Sequence, residues 1–299
     1  MPALEIEGVT KVYPNLRKAL DGVSFSCHEG VFGLLGPNGA GKSTLMRILA
    51  GSLDFESGRV SLDGQHDVRR HPAEWRRRLG FMPQSFDFVP HLTALEYLDQ
   101  CALLGGFAPR ALRPRMMELL ERVNLTDAAH RRGADFSRGM KQRLAAAAAF
   151  LCDPLLVLLD EPTAGLDPRE RILFRELVTD LSRGRVVLLS THIVPDVERC
   201  CEQVAVIREG RLLFHGRAEQ LARRAEGNVW ECAVDEQTAA ALEQERRLVR
   251  LRPSGGAAIA RAVGEVSPLP EAKPVEPTLE DGYVLLVNAA ATPPEALSP

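Results

Sequence analysis

Nine consecutive residues near the N-terminus have the types and the spacing of a phosphate-binding loop. Its three glycines allow a tight turn that aims backbone N–H groups inward, and a following helix N-terminus would favour negative charge. The lysine can reach the β- and γ-phosphates of a nucleotide, and the serine hydroxyl can bind Mg²⁺. The loop consists of Gly36, Pro37, Asn38, Gly39, Ala40, Gly41, Lys42, Ser43 and Thr44.

The sequence on either side of this loop predicts the elements that such a site requires. An apolar run at residues 31–35 predicts a strand, and the apolar spacing of residues 44–50 suits a helix that ends at Gly51. This order of strand, glycine loop and helix predicts binding of a nucleoside triphosphate. The loop alone leaves kinases, GTPases, helicases and transport ATPases open.

A second apolar run, residues 156–159, ends in the carboxylates Asp160 and Glu161. Asp160 is suited to hold the Mg²⁺ shell, and Glu161 is suited to polarise a water for in-line attack on the γ-phosphate. An acidic pair at a strand end also occurs without any catalytic role. In combination with the phosphate loop, the pair predicts a site that hydrolyses the nucleotide.

Composition excludes several classes of protein. The net charge of −3 and the charged fraction of 26% give no overall signature for binding nucleic acid or an anionic membrane. The six cysteines show no CxxC spacing, so we expect inert thiols and no metal site built from cysteine. The apolar runs fall short of the roughly 18 residues that span a bilayer, and charges near the N-terminus argue against a signal peptide. We expect a cytoplasmic protein whose membrane partner is another chain.

The alternation of strands and helices predicts an α/β fold with a mostly parallel sheet, antiparallel N-terminal strands and a small α+β appendage at the C-terminus. A helical insert is expected at about residues 86–150, where Thr93 and Glu96 have the spacing of a capping box. The predicted domains are residues 1–227 and 228–287. Residues 288–299 are expected to form a disordered tail.

Residues 136–144, FSRGMKQRL, are similar to the LSGGQ signature of ATP-binding cassette (ABC) proteins, and residues 3 to about 220 resemble the nucleotide-binding subunit of an ABC transporter. Ser137 and Gly139 would form an anion site at a helix N-terminus. In the family this site closes over the γ-phosphate held by the opposite subunit, which implies a head-to-tail dimer. Arg138 replaces the first signature glycine and Met140 the glutamine, and a cation beside a triphosphate is electrostatically acceptable.

The resemblance extends to four other positions. Tyr13 stands where the family has an aromatic residue that stacks on adenine, although it is equally compatible with an ordinary turn. Gln84 resembles the Q-loop glutamine that reaches Mg²⁺ and the attacking water beside the transporter contact. Asp167 resembles the D-loop aspartate that crosses the dimer interface, and His192 resembles the switch histidine that contacts the γ-phosphate.

The resemblance therefore implies an ABC-type P-loop ATPase that binds ATP and Mg²⁺. Its implied catalytic residues are Lys42, Gln84, Glu161 and His192. Its implied metal ligands are Ser43, Gln84 and Asp160.

Two further segments bear on the partner. Residues 276–281, EPTLED, resemble an ending common among single-cassette subunits that pair with separately encoded permeases, including exporters of drugs, antibiotics and sodium. Apolar residues after Gln84 could receive a permease helix or could form the core of the insert. These residues are Phe86, Phe88, Val89, Pro90 and Leu92.

We expect an ATPase subunit that energises a membrane exporter from the inner face of the cell membrane. Its implied partners are a second copy of itself, or a related cassette, and an integral membrane permease; no nucleic acid is expected. One alternative is a soluble cassette ATPase acting on ribosomes or DNA, although such relatives generally carry two cassettes or a coiled-coil arm. Another is a weakly hydrolysing regulatory cassette, which Arg138 alone supports. The GTPase class is excluded by the lack of an NKxD motif, and the kinase class leaves the signature and His192 unexplained.

Overall fold

The computed structural model describes residues 2–85, 88–254 and 257–290, and the chain divides into two compact units, Met1–Leu212 and Leu213–Pro299. The division lies before the boundary that the sequence predicts at residue 227. Each unit has its own sheet and its own helices.

The first unit is built on ten strands, the last of which continues past the division. In chain order they are β1 (Ala3–Val12), β2 (Lys18–His28), β3 (Gly30–Leu35), β4 (Ser57–Leu62), β5 (His66–Asp67), β6 (Leu79–Met82), β7 (Leu156–Asp160), β8 (Val186–Thr191), β9 (Gln203–Arg208) and β10 (Arg211–Arg217).

Two sheets result. The first is antiparallel and has the order β2-β1-β4-β5. The second has the order β10-β9-β3-β8-β7-β6, and its pairs β9/β3, β3/β8, β8/β7 and β7/β6 are parallel. The predicted α/β fold, with antiparallel N-terminal strands beside a mostly parallel sheet, is confirmed.

Seven helices accompany these strands in the described part of the first unit. They are α1 (Lys42–Leu49), α2 (Pro72–Arg77), α3 (Ala94–Leu104), α4 (Pro109–Arg122), α5 (Arg138–Phe150), α6 (Pro168–Leu181) and α7 (Val194–Cys200).

Helices α3, α4 and α5 lie between β6 and β7 in sequence, which confirms the predicted helical insert. The capping box at its start is also confirmed, because the Glu96 N–H donates to Thr93 Oγ1 over 3.2 Å and the Thr93 N–H donates to Glu96 Oε2 over 2.8 Å. Phe88 is buried and packs on Phe136 and Tyr97, with ring centroids 5.8 and 4.8 Å apart. Phe88 is therefore part of the insert core rather than an exposed docking residue, and Phe86 lies outside the described residues.

Helix α1 is held in the main core of the first unit. Its apolar side chains, such as Leu45 and Ile48, are fully buried between strands of both sheets, where Phe25 and Phe32 stack with centroids 5.6 Å apart. Trp75 of α2 is buried beside it and donates from Nε1 to the carbonyl oxygen of Leu49 over 2.7 Å. Each such large side chain contributes about 1.5–3 kcal/mol of burial energy, so the helix after the phosphate loop is firmly fixed.

The second unit has a four-stranded antiparallel sheet of order β12-β13-β11-β14. Its core holds small apolar residues such as Ala260, and Trp230 Nε1 donates to the carbonyl oxygen of Gly264 over 2.9 Å. Its elements are α8 (Ala218–Arg223), β11 (Val229–Val234), α9 (Glu236–Gln244), β12 (Leu248–Ser254), β13 (Ala257–Val263), β14 (Lys273–Pro274) and α10 (Leu279–Ala289).

Helix α10 extends to Ala289, past the start of the tail that is expected to be disordered from residue 288. Residues 291–299 of that tail lie outside the described residues. None of the helices in residues 2–85, 88–254 and 257–290 is both long and apolar enough to cross a bilayer.

The EPTLED segment forms the start of α10. Thr278 is its N-cap, and the fully buried Asp281 carboxylate accepts hydrogen bonds from the N–H and the hydroxyl of Thr278, each over 2.7 Å. The same carboxylate accepts from Arg261 of β13, from Nε over 3.0 Å and from Nη2 over 2.7 Å. In this chain the motif therefore fixes the last helix to the sheet of the second unit.

Candidate active site

The order of the parallel strands brings three chemically important segments to one edge of the sheet. Leu35 at the end of β3 pairs with Thr191 at the end of β8, and Asp160 at the end of β7 pairs with Ser190. The phosphate loop, the acidic pair and His192 follow these three strand ends in sequence. Adjacent parallel strands end at the same edge, so segments far apart in sequence meet there.

A cleft of about 550 Å³ lies at this edge. Residues 37–44 form one wall, and Tyr13, Gln84 and Glu161 also line it. The cleft therefore brings together the loop, the aromatic residue, the glutamine and the carboxylate that the sequence predicts for one nucleotide site.

The loop can hold its shape only with glycine at two positions. A Cβ on Gly36 would lie 2.2 Å from the carbonyl oxygen of Ile207. Gly41 has φ of 109°, and a Cβ there would lie 2.5 Å from the carbonyl oxygen of Ala19. Gly41 is also the N-cap of α1, and no side chain caps this helix, so its first N–H groups face the loop without a competing side-chain acceptor.

Lys42 is almost completely buried and is bonded to the loop itself. Its Nζ donates to the carbonyl oxygen of Gly36 over 2.7 Å and to that of Pro37 over 3.3 Å, and it lies 3.6 Å from Glu161 Oε1. Burial lowers the pKa of the Lys42 ammonium, while Glu161 and Asp160 act to raise it. The ammonium is thus held in place by weak acceptors that a phosphate can replace.

Glu161 is the centre of the polar contacts in the cleft. His192 Nδ1 lies 2.9 Å from each of its carboxylate oxygens, and the Thr191 hydroxyl donates to Oε2 over 3.4 Å. The Glu161 backbone has φ of 49°, a left-handed conformation that costs on the order of 1 kcal/mol in a non-glycine residue. The turn after β7 aims this carboxylate at the loop.

Asp160 lies beside this group but differs from it in environment. It is 4% exposed, and its Oδ1 has no hydrogen-bond partner among the described residues. Burial raises the pKa of Asp160, and the hydroxyls of Ser190 and Ser43 act in the opposite direction. The carboxylate therefore has an unused acceptor near the serine that begins the loop helix.

Tyr13 lies at the outer part of the cleft, where its hydroxyl shares a hydrogen bond of 3.3 Å with Thr44 Oγ1. Gln84 follows β6 and is exposed to the cleft. Both residues therefore line the same cleft as the phosphate loop, and their predicted roles toward the base and the γ-phosphate remain predictions.

Ser137, Gly139 and Asp167 are not in the cleft; they cluster with one another instead. Ser137 Oγ caps α5 by accepting from the Met140 N–H over 3.1 Å, and Asp167 Oδ1 caps α6 by accepting from the Glu170 N–H over 2.8 Å. Glu170 faces the signature glycine, because a Cβ on Gly139 would lie 2.0 Å from Glu170 Oε1. The residues predicted for one site thus occupy two separate surfaces of the chain.

Arg138, which replaces the first glycine of the signature, lies on the same surface as Ser137, Gly139 and Asp167. Arg138 covers Gly165, since a Cβ on that glycine would lie 2.5 Å from Arg138 Cζ. One turn along α5, Gln142 Nε2 donates to the carbonyl oxygen of Ala164 over 3.0 Å. Helix α5 therefore contacts the segment of residues 164–167 within the same chain.

Three residues of these surfaces are not among those that the sequence motifs predict. Arg17 lines the cleft and its Nη2 lies 3.4 Å from the Gly39 carbonyl oxygen, Thr191 contacts Glu161, and Glu170 faces Gly139. Thr191 could have been found from its position next to His192. Arg17 and Glu170 carry no local sequence signal, because their roles depend on how distant segments fold together.

All six cysteines are free thiols, and none lines the cleft. Burial raises the pKa of Cys27 and Cys201, and it raises that of Cys101 to about 11. Burial thus keeps these three thiols protonated at neutral pH.

Comparison with known proteins gives the same assignment. Residues 20–164 match the family model described as ABC transporter. The chain is 37% identical over 243 residues to a Bacillus subtilis protein named uncharacterized ABC transporter ATP-binding protein YxlF, which covers 81% of this chain and 80% of that protein. It is 37% identical over 222 residues to the Nod factor export ATP-binding protein I of Ralstonia nicotianae, which covers 74% and 68%.

A solved structure described as the ATP binding subunit of an ABC transporter has the same fold, with a TM-score of 0.67 and 30% identity. The match covers 74% of this chain and 92% of that one.

Proposed function

This chain belongs to the ABC transporter family of ATP-binding proteins, and on that premise we propose that it drives a membrane exporter by ATP-dependent closure of a head-to-tail dimer. Like its family, it binds and hydrolyses ATP. The observation that carries the proposal is the convergence of Lys42, Glu161 and His192 beside the phosphate loop.

The proposed reaction begins with the phosphates of ATP in the loop. Their charged oxygens replace the carbonyls of Gly36 and Pro37 as acceptors for Lys42 Nζ. Tyr13, which lines the cleft, would stack on the base. This binding also separates Lys42 from Glu161, so the carboxylate becomes available to a water.

Glu161 is proposed as the general base. It takes a proton from the attacking water as the water oxygen bonds to the γ-phosphorus, and the bond from phosphorus to the bridging oxygen of ADP breaks. ADP and inorganic phosphate are the products. His192 holds the Glu161 carboxylate through Nδ1, and because 47% of its side chain is exposed, the rest of the ring is accessible to the γ-phosphate.

The residues at the β7 end suit Mg²⁺. Asp160 offers a buried oxygen that has no hydrogen-bond partner in the described part of the chain, and the Ser43 hydroxyl acts on the same carboxylate. Mg²⁺ typically binds few protein oxygens and completes its shell with phosphate and water, so one carboxylate and one hydroxyl suit it. Ser43, Asp160 and Gln84 would hold the ion, which would neutralise part of the phosphate charge when bound.

The division of the predicted site into two surfaces supports the dimer. Ser137 and Gly139, at the N-terminus of α5, do not line the cleft that contains the phosphate loop of their own chain. A second copy, or a related cassette, placed head to tail would bring these residues to the γ-phosphate in the cleft of this chain, and Asp167 would lie at the interface. Two copies would then form two complete sites.

The names of two relatives support an exporter, since they refer to Nod factor export and to linearmycin resistance. The proposed permease is a separate chain, with the cassette bound at the inner face of the membrane. Gln84 and the insert that follows it are the proposed route by which closure acts on the permease.

The decisive experiment compares Glu161→Gln with the wild-type chain in steady-state phosphate release and in size-exclusion chromatography with ATP and Mg²⁺. We expect turnover to fall by at least about 100-fold, the usual effect of losing a general base, while an ATP-dependent dimer persists. Glu7→Gln, on the exposed side of β1, is the matched control and should behave as the wild type.

Normal turnover of Glu161→Gln, with no ATP-stabilised dimer, would refute the mechanism. The export role is tested separately, by affinity purification of the chain from detergent-solubilised membranes. Recovery with an integral membrane protein supports it, whereas recovery with ribosomes or DNA from a membrane-free extract would support the soluble alternative instead.

A further inference from the structure

A cluster of arginines surrounds a second cavity, at the opposite edge of the parallel sheet from the nucleotide cleft. The cavity measures about 460 Å³. It lies at the start of β8, whereas the nucleotide residues follow the strand ends. Its lining consists of Arg115, Arg122, Asp180, Leu181, Arg183 and Arg185.

These arginines come from three parts of the first unit. Arg115 and Arg122 are two helical turns apart on α4, and therefore on the same face of that helix. Arg183 lies in the turn after α6, and Arg185 directly precedes β8. The cavity thus joins the helical insert to the strand layer.

Several of the guanidinium nitrogens have no partner. Arg185 Nε and Nη1 and Arg115 Nε are buried atoms without a hydrogen bond to any described residue. The Arg185 guanidinium carbon also lies 5.6 Å from the centroid of the Phe150 ring. This cation–π contact supplies no conventional hydrogen-bond acceptor. Buried charged N–H groups are costly when unpaired, so this arrangement calls for an acceptor.

The carboxylates near the cluster do not supply that acceptor. Asp153 binds Arg185 Nη2 over 2.9 Å, and Glu118 binds Arg115 and Arg122 over 2.9 and 3.0 Å, but the side chains of Asp153 and Glu118 are 78% and 41% exposed. Solvent weakens such pairs. Asp180 adds one negative charge, and the C-terminal end of α6 adds a partial negative charge from the helix dipole. Four arginines against three carboxylates leave a net charge of +1.

We propose that this cavity binds a phosphate-class oxyanion, with Arg185 and Arg115 as its principal ligands. The planar fork of each guanidinium matches the oxygens of a tetrahedral anion, and both side chains line the cavity, where an anion would supply the acceptor that the cluster lacks. The anion can be free inorganic phosphate or the phosphate group of a small phosphorylated molecule. By bridging α4 and the start of β8, it would stabilise the insert against the sheet.

Electrostatics within the cluster agree with this proposal. Burial lowers the pKa of Arg185, Asp153 opposes that effect, and Arg115 and Arg122 add to the lowering because they are like charges. An anion among these groups would relieve the repulsion between them.

The test uses isothermal titration calorimetry on the full chain, with its nucleotide cleft saturated by a non-hydrolysable ATP analogue and Mg²⁺. Titration with inorganic phosphate is expected to show one site per chain. Glycerol phosphate is the second arm: stronger binding than phosphate indicates a phosphorylated molecule, and weaker binding indicates the free anion. Acetate is the control anion, and equal binding of acetate would overturn the assignment to phosphate.

The variants locate the site. Arg185→Gln and Arg115→Gln should each weaken phosphate binding by about tenfold or more, since each removes a charge-assisted donor set. Arg185→Lys keeps the positive charge but not the planar guanidinium, so its phosphate affinity should lie between those of the wild type and Arg185→Gln. Arg77→Gln, on an exposed part of α2, is the matched control and should bind as the wild type does.

Absence of phosphate binding by the wild-type chain at millimolar concentration would overturn the proposal. So would unchanged affinity in Arg185→Gln and Arg115→Gln. Circular dichroism of each variant shows whether it folds, and if Arg185→Gln does not, Arg115→Gln and Arg185→Lys still decide.

Discussion

His192 Nδ1 lies 2.9 Å from both oxygens of the Glu161 carboxylate, while Lys42 Nζ lies 3.6 Å from one of them. The carboxylate is therefore held between an imidazole and an ammonium. The turn after β7 gives Glu161 a left-handed backbone, and these two contacts, together with the hydrogen bond from the Thr191 hydroxyl, hold its oxygens in place.

Replacing His192 by alanine should misplace this base. Without the imidazole, the Glu161 carboxylate can pair fully with Lys42, and a displacement of about 1 Å at a catalytic group costs about 100-fold in rate. We expect kcat to fall by about that factor with little change in ATP affinity, measured by phosphate release and by nucleotide titration. His28→Ala, at an exposed position at the end of β2, is the control. A kcat within twofold of wild type, on the order of experimental scatter, would rule out a positioning role.

Asp160→Asn should stabilise the nucleotide-free chain at neutral pH. Burial raises the pKa of Asp160 in the folded state above its ordinary value of 3.8, so the folded protein holds this proton more tightly than the unfolded chain. Its contribution to stability is fully present below pH 3.8 and is lost as the pH rises through the folded-state pKa. Asparagine stays neutral throughout.

The measurement is urea unfolding of both chains without ligand at pH 7 and near pH 4. The variant should be the more stable one at pH 7, with a smaller difference at the lower pH. It should also lose the additional protection that ATP with Mg²⁺ gives the wild type. A variant that is less stable at pH 7 would show that Asp160 is not a strained, desolvated carboxylate.

Arg138→Ala should loosen the segment of residues 164–167. The guanidinium covers Gly165, and the Leu166 N–H in the turn beneath it donates to the Thr163 carbonyl oxygen over 3.1 Å. We expect the Leu166 amide to exchange several-fold faster with deuterium, with little change in overall stability. Lys141→Ala, one turn further along α5, is the matched control. Equal exchange in all three chains would mean that Arg138 does not hold this segment.

Asp281→Asn should destabilise the second unit severely. The Asp281 carboxylate is fully buried and paired with Arg261, whose side chain is 14% exposed, and breaking a buried ion pair costs about 3–5 kcal/mol. Scanning calorimetry should show this loss. The neighbouring Glu280→Gln breaks an exposed pair with Arg250 and should cost less than about 1 kcal/mol. Similar losses in the two variants would contradict this difference in burial.

Much of the fold could be predicted because its signals are local. The apolar run that becomes β7, the capping box of Thr93 and the Asp167 cap each depend on a few neighbouring residues. The start of α10 also carries a local signal, the capping-box spacing of Thr278 and Asp281, but the ion pair between Asp281 and Arg261 depends on how the helix meets the sheet.

The residues of the candidate site likewise divide into those that local motifs predict and those that depend on the packing of distant segments. Lys42 and Glu161 could be proposed from motifs, and the cleft brings them together as the strand order requires. The cover of Arg138 on Gly165 and the approach of Glu170 to Gly139 could not be predicted, because they join segments whose distance depends on the packing of α5 against α6. Burial of Phe88 likewise depends on Phe136, 48 positions further along the chain.

The two tryptophans of this chain fall one in each unit. Trp75 is tied to Leu49 at the end of the helix that begins with Lys42, and Trp230 is tied to Gly264. The protein therefore carries one tryptophan fluorophore in each unit. In a chain with Trp230→Phe the tryptophan emission comes only from beside the loop helix, and in one with Trp75→Phe it comes only from the C-terminal sheet, so nucleotide binding and unfolding of each unit can be followed by tryptophan emission without any attached dye.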